Sequence, residues 1–205
     1  VTSQTYTGLF GVVDGGSVTD LKVGQDGDKW TITGTANAGT AIAPVVAFAK
    51  GGAQITACTN NVDIDFKATN NHEALLMLSG IVARSTGATI GATGAACVNN
   101  GDIVITEILN KKNQLNGVNM GGICGHAEID KATNITACVN NGHMACPTGR
   151  GGGICGSFLN GKMSACTNNG LVEDGTQYKS DAKGYDYKRM GGLAGATDAA
   201  AVIDG

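Results

Sequence analysis

Six copies of one short pattern divide this chain, and an internal repeat restricts the folds open to it more than any other feature. The strongest copies place a glycine pair before an apolar residue, a small residue and a further glycine: Gly121-Gly122-Ile123-Cys124-Gly125, Gly152-Gly153-Ile154-Cys155-Gly156 and Gly191-Gly192-Leu193-Ala194-Gly195. Weaker copies are Gly8-Leu9-Phe10-Gly11, Pro44-Val45-Val46-Ala47 and Gly80-Ile81-Val82-Ala83. The first apolar residue falls at positions 9, 45, 81, 123, 154 and 193, with spacings of 36, 36, 42, 31 and 39. The units lie near 7–42, 43–78, 79–120, 121–151, 152–190 and 191–205, and read as a single repeat domain over residues 1–205.

A second signature follows in the middle units: Cys58-Thr59-Asn60-Asn61, Cys97-Val98-Asn99-Asn100-Gly101, Cys138-Val139-Asn140-Asn141-Gly142 and Cys166-Thr167-Asn168-Asn169-Gly170. Asn and Gly tolerate positive φ, so a sharp turn is expected at Asn-Asn-Gly. A third run alternates with period two, as in Val62/Ile64/Phe66 and Ile103/Ile105, which is the pattern of a strand with one buried face. Each unit thus reads as strand, strand, turn, strand and loop. Such a unit cannot bury its apolar face alone, whereas stacked units bury one continuous column. The expected fold is all-β, a parallel β-helix (β-solenoid) of about six coils, with a β-propeller as the alternative. Stacking would set equivalent residues about 4.8 Å apart. Cys58, Cys97, Cys138 and Cys166 would then form one structural ladder, and Asn60, Asn99, Asn140 and Asn168 another.

Composition agrees with a narrow interior. Glycine accounts for 33 of 205 residues but proline for only 2, which excludes collagen and Pro/Gly disorder, and aromatic residues are 4% of the chain. The net charge is −3 and the 14 Lys and Arg are scattered, so no electrostatic footprint for nucleic acid is present. The most apolar window, Ala36 to Ala49, is interrupted by Pro44 and is too short for a transmembrane segment. The opening Val1-Thr2-Ser3 has no basic stretch leading into an apolar run and reads as a trimmed, mature segment.

The Gly-Gly-Ile-Cys-Gly and Ile-Thr-Ala-Cys-Val-Asn-Asn-Gly patterns resemble the Gly-rich repeats, including the GLUG type, of large bacterial cell-surface and secreted proteins. The Asn-Asn-Gly variant is most similar to that of Bacteroidales surface proteins and lipoproteins. The resemblance covers essentially the whole chain, most closely residues 78 to 195. It implies a β-solenoid outside the cell and no shared catalytic residues.

Candidates for chemistry are few, and no catalytic residue, metal site or cofactor is assigned. In an exported chain, seven cysteines would ordinarily suggest disulfides. Their equivalent positions in successive units favour small, reduced, buried hydrophobes instead. Cys138, His143 and Cys146, with Cys124 and His126, have ligand types that zinc accepts, but Cys138 belongs to a row repeated where no His exists. Asp63 and Asp65 are the one close acidic pair on a strand, and they carry the alternative reading of a polysaccharide lyase or hydrolase. The preferred binding candidate is the loop from Glu173 to Met190, with Tyr178, Lys179, Tyr185, Asp186, Tyr187 and Lys188 interleaving aromatic rings and charge. Such a surface suits a glycan or a host protein ligand. Uncapped ends would allow self-association end to end into filaments. The expected function is therefore a non-enzymatic structural or adhesive module at the bacterial cell surface.

Overall fold

The computed structural model describes residues 6–35, 39–70, 75–108, 117–147, 149–175 and 188–205. The described residues form an all-β architecture of four separate sheets, and the strand pairings are parallel throughout. A six-stranded sheet joins, in order, Tyr6–Thr7, Thr40–Ile42, Leu76–Ser79, Val118–Gly121, Gly149–Gly152 and Lys188–Gly191. One five-stranded sheet contains Lys22–Val23, Thr59–Asn60, Val98–Asn99, Val139–Asn140 and Thr167–Asn168, and the other contains Lys29–Thr35, Asp63–Asn70, Ile103–Ile108, Met144–Ala145 and Val172–Glu173.

The largest sheet has ten strands and nearly closes on itself. It runs through Phe10–Asp14, Val46–Lys50, Val82–Thr86 and Cys124–Ala127 to the long strand Cys155–Ser164, then returns through Thr133–Thr136, Thr89–Ile90, Gln54–Thr56 and Ser17–Thr19. Ala194–Asp204 pairs with the other side of Cys155–Ser164.

This arrangement corrects the expected parallel β-helix with one column and three strands per unit. There are four separate parallel sheets, and apolar side chains are divided among three clusters. The largest cluster includes Ile55, Ile90, Ile135, Ile123, Ile154 and Cys58, Cys97 and Cys138. A second gathers Ile32, Ile64, Phe66, Ile103, Leu78 and Met144. A third, small one consists of Ala41, Ala43, Ala47, Met77 and Ala83. The propeller alternative also fails, because its blades require strands that pair within one unit, whereas here each strand pairs with its counterpart from another unit. The physical reason for the difference is strand length: pieces such as Thr59–Asn60 and Lys22–Val23 have two residues and carry no periodicity to read.

The turn chemistry also differs from expectation. The left-handed residues stand just before the Cys positions: Asp20 (φ 56), Ala57 (φ 51), Ala137 (φ 56) and Ala165 (φ 51) precede Leu21, Cys58, Cys138 and Cys166. A left-handed alanine costs about 1–2 kcal/mol, which neighbouring repeats offset through bonds such as Ala137 N to Ser164 O (3.0 Å). Gly101, Gly142 and Gly170 after the Asn pairs serve close approach instead. A Cβ on Gly142 would overlap the carbonyl oxygen of Gly101, and one on Gly170 that of Gly142.

Candidate functional site

The Asn-Asn step builds two parallel rows of side-chain amides. In the inner row Asn60 Nδ2 donates to Asn99 Oδ1, Asn99 Nδ2 to Asn140 Oδ1 and Asn140 Nδ2 to Asn168 Oδ1, each at 2.8 Å. The same nitrogens also donate to backbone carbonyls two residues ahead, at Val62 (3.0 Å), Gly101 (2.8 Å) and Gly142 (2.9 Å). Asn60, Asn99 and Asn140 are fully buried, and these bonds satisfy amides that would otherwise be costly to bury. In the outer row the sense reverses: Asn100 Nδ2 donates to Asn61 Oδ1, Asn141 to Asn100 and Asn169 to Asn141, again at 2.8 Å.

The glycines of the first signature are tied to this ladder. A Cβ on Gly80 would overlap the Asn99 amide, one on Gly122 the Asn140 amide and one on Gly153 the Asn168 amide. The two signatures are therefore the two sides of one contact.

Cys58, Cys97, Cys138 and Cys166 lie beside the inner amide row, and the seven cysteines are free thiols. Cys58, Cys138 and Cys166 donate to carbonyls of the preceding repeat at Val18, Ile90 and Ile135, at 3.6, 3.4 and 3.6 Å, and Cys97 to Ile55 at 3.2 Å. Thiol-to-thiol hydrogen bonding, then burial, pushes Cys58 and Cys138 up. At the half-buried end of the row the bond from Cys138 lowers Cys166 to about 7.

The residues considered for zinc are dispersed. Cys138 and Cys124 belong to the largest cluster and Cys146 to the second. His143 pairs with Glu173 at 3.0 Å, in a cleft lined by Val104, Thr106, Ala145 and Gly175. No group of three or more His, Cys, Asp or Glu among the described residues has the geometry of a metal site. Asp63 accepts the backbone N–H of Asp102 at 2.8 Å. Asp65 pairs with Lys29 at 3.2 Å and accepts from the Thr106 hydroxyl. Both carboxylates of the candidate catalytic pair are thus engaged in joining strands. Tyr178, Lys179, Tyr185, Asp186 and Tyr187 lie outside the described residues, and Lys188 is described in its backbone alone.

Two further regions stand out. The first comprises the outermost edges of the stack. Leu9, Phe10 and Val12 are exposed at one edge, and Leu171, Val202 and Ile203 at the other.

The second is the packed seam between the six-stranded sheet and the ten-stranded sheet, where Ala41, Met77, Asn119 and Ser157 are at most 1% exposed. One wall carries the register row Tyr6, Ala41, Met77, Asn119, Arg150 and Arg189. The facing wall carries Val12, Phe48, Arg84, His126, Ser157 and Ala196. Contacts bridge the walls repeat by repeat. Tyr6 stacks on Phe48 with ring centroids 5.6 Å apart, and Arg84 lies 4.5 Å from the Phe48 centroid. Arg84 donates to the Tyr6 hydroxyl (3.2 Å) and to Glu128 (2.6 Å). Asn119 Nδ2 meets His126 Nδ1 at 3.0 Å, and Arg150 donates to Ser157 Oγ at 3.2 Å. The sequence does hold a signal for this pairing, a seven-residue offset seen in Met77/Arg84, Asn119/His126 and Arg150/Ser157. It is legible only once the bend between the two strands is known.

His126 is 8% exposed. Burial, then the charges of Arg150 and Arg84, lower it to about 4. Between pH 4 and the ordinary value near 6.5 the unfolded chain therefore binds a proton that the folded chain refuses. Stability from this group is complete above about pH 6.5 and falls as the pH drops towards 4, by about 3 kcal/mol at most. Urea unfolding at pH 7 and pH 4.5 checks this. His126→Gln is expected to lose less stability than the wild type between the two, and an equal loss would contradict the assignment.

Comparison of the chain with protein-family models, curated proteins and solved structures finds no match. Among the described residues no helix is long and apolar enough to cross a membrane.

Proposed function

We propose that this chain is a non-enzymatic, extracellular structural or adhesive module of a bacterial cell-surface protein, and that its copies join end to end into filaments. The observation that carries the reading is the exposed apolar side chains on the outermost described strands, Phe10 and Val12 at one edge and Val202 and Ile203 at the other. Val18, Ile55, Ile90, Ile135 and Met163 share one register row with Ile203. The first five are at most 7% exposed, whereas Ile203, on the last described strand, is 42% exposed.

The occupant argued for each edge is a second copy. Continuing the parallel register from Ala194–Asp204 onto the first strands of another chain would set Ala194 and Ala196 beside Phe10 and Val12, and Ile203 beside Val18. Small residues would meet large ones, and the unpaired backbone of both edges would be satisfied. The contact joins two different surfaces, so it propagates instead of closing, and an open filament follows. The outer location is supported by the likeness of the Gly-Gly-Ile-Cys-Gly repeats to those of bacterial surface proteins.

Sedimentation over a range of concentrations, with electron microscopy of the same samples, tests the assembly. Wild-type chain is expected to form fibres, and Ile203→Lys with Phe10→Lys to stay monomeric. A wild-type chain that remains monomeric at high concentration overturns the filament, and a chain shielded from protease on intact cells overturns the location.

A further inference from the structure

A cleft of about 240 Å³ opens on the five-stranded sheet that contains Met144–Ala145, and the register explains it. One row across that face reads Thr31, Asp65, Val104, Ala145 and Glu173. Asp65 is engaged by Lys29 and Thr106, whereas the next two positions carry Val104 and Ala145. The surface therefore sinks to a short apolar floor before it rises again at Glu173. A neighbouring row adds an imidazole. Asp63 accepts the backbone N–H of Asp102 at 2.8 Å, and Asp102 accepts that of His143 at 2.7 Å. His143 stands where this row of aspartates would continue, and its ring meets Glu173 Oε1 at 3.0 Å instead. Both side chains remain open, at 32% and 48% exposure.

The side chains around the cleft are one-sided in their hydrogen bonding. In the neutral ring the proton that faces Glu173 sits on Nε2, which leaves His143 Nδ1 as an acceptor. Glu173 keeps its second carboxylate oxygen. The Thr106 hydroxyl gives its proton to Asp65, so its oxygen too can accept. No Lys or Arg is among the described residues that line the cleft. Acceptors with one negative charge select a ligand that is cationic and carries donors alone, and the floor selects one that also has an apolar stem. An aliphatic ammonium has this composition, with donors, no acceptor and a run of methylenes that lies along apolar surface. A carboxylate or phosphate would meet like charge, and a plain alkyl group would cover the acceptors without pairing them.

We infer that the His143–Glu173 cleft binds a primary ammonium group on an aliphatic stem, as carried by a lysine side chain of a partner protein or by a free polyamine. This rests on the adhesive reading for its biological sense, but not on end-to-end assembly.

The test follows the backbone amide NMR signals of Val104, Ala145 and Glu173 during titration with Nα-acetyl-lysine N-methylamide, with spermidine, and with the Nε-acetyl-lysine and norleucine counterparts of the first compound. All are measured on the Phe10→Lys, Ile203→Lys chain, so that a failed filament does not confound the result. The lysine compound and spermidine are expected to shift these signals to saturation, and the two uncharged compounds are not. The tighter of the two cations assigns the source, a lysine of a partner protein or a free polyamine. Glu173→Gln, which keeps the shape of an exposed side chain, should weaken binding at least tenfold, and Ala145→Leu, which fills the floor, should abolish it. Asp198→Asn, an exposed carboxylate on another sheet, controls for general electrostatics and should change affinity less than twofold. The site is overturned if neither cation binds, if the uncharged compounds bind equally well, or if Glu173→Gln and Asp198→Asn behave alike. Binding that is lost in Glu173→Gln while the chain proves absent from the cell surface would keep the site and remove the adhesive reading.

Discussion

Asn99→Ala is expected to destabilise the fold by about 3–5 kcal/mol, whereas Asn100→Ala, one residue away, should cost less than about 1 kcal/mol. The Asn99 amide is fully buried and makes three hydrogen bonds. It donates to Gly101 O and Asn140 Oδ1 and accepts from Asn60 Nδ2, each at 2.8 Å. A net bond contributes about 1 kcal/mol, and a buried polar group left unpaired costs about 1–3 kcal/mol more. Truncation removes all three bonds and deprives Asn140 Oδ1 of its donor. Asn100 makes amide contacts of the same length, to Asn61 and Asn141, but it is exposed, so water replaces them. Urea unfolding of the two variants under identical conditions checks the contrast. Equal midpoints would show that the inner row is not what holds the repeats together.

The second large effect concerns the same substitution at two equivalent positions. Gly122→Ala should destabilise by about 3 kcal/mol or more, and Gly192→Ala by about zero. At Gly122 the new methyl would overlap the Asn140 amide and the Gly153 carbonyl oxygen, and backbone cannot yield as a flexible side chain would. At Gly192 nothing lies within 4 Å of the added atom and φ is not left-handed. Alanine there should even stabilise slightly, because it reduces the freedom of the unfolded chain. A double-mutant cycle pairing Gly122→Ala with Asn140→Ala sharpens the test, since two groups competing for one space give a combined cost below the sum. Strict additivity would mean that the glycine and the amide act separately.

What the sequence revealed was which residues share a rung. The spacing of the first signature aligns Cys124 with Cys155 and with Ala194, and the structure pairs those residues. The second signature aligns Asn99 with Asn60 and with Asn140, also paired. Such registers are readable because a repeat carries its neighbour's address in its own spacing. The number of sheets was not readable. Two-residue strands such as Val139–Asn140 have no alternation, and the bend before Cys138 falls on Ala137 in a left-handed conformation, where residue type gives no warning. The seam between the six- and ten-stranded sheets was hidden for a related reason. His126 appeared in the sequence only as a metal-type side chain, and its neighbours Arg84, Arg150 and Asn119 come from two different repeats and two sheets.

The opposed sense of the two amide rows has a consequence for length. The inner amides of Asn60, Asn99 and Asn140 point an N–H towards the following repeat, and the outer amides of Asn100, Asn141 and Asn169 point one towards the preceding repeat. Aligned amides add head to tail as they do along a helix, where the sum places partial charge at the two ends. Here the two series run antiparallel and their dipoles oppose. Adding repeats therefore lengthens the array without accumulating charge at its tips, and this polarity balance lets one short pattern recur many times within a chain at no electrostatic penalty to growth.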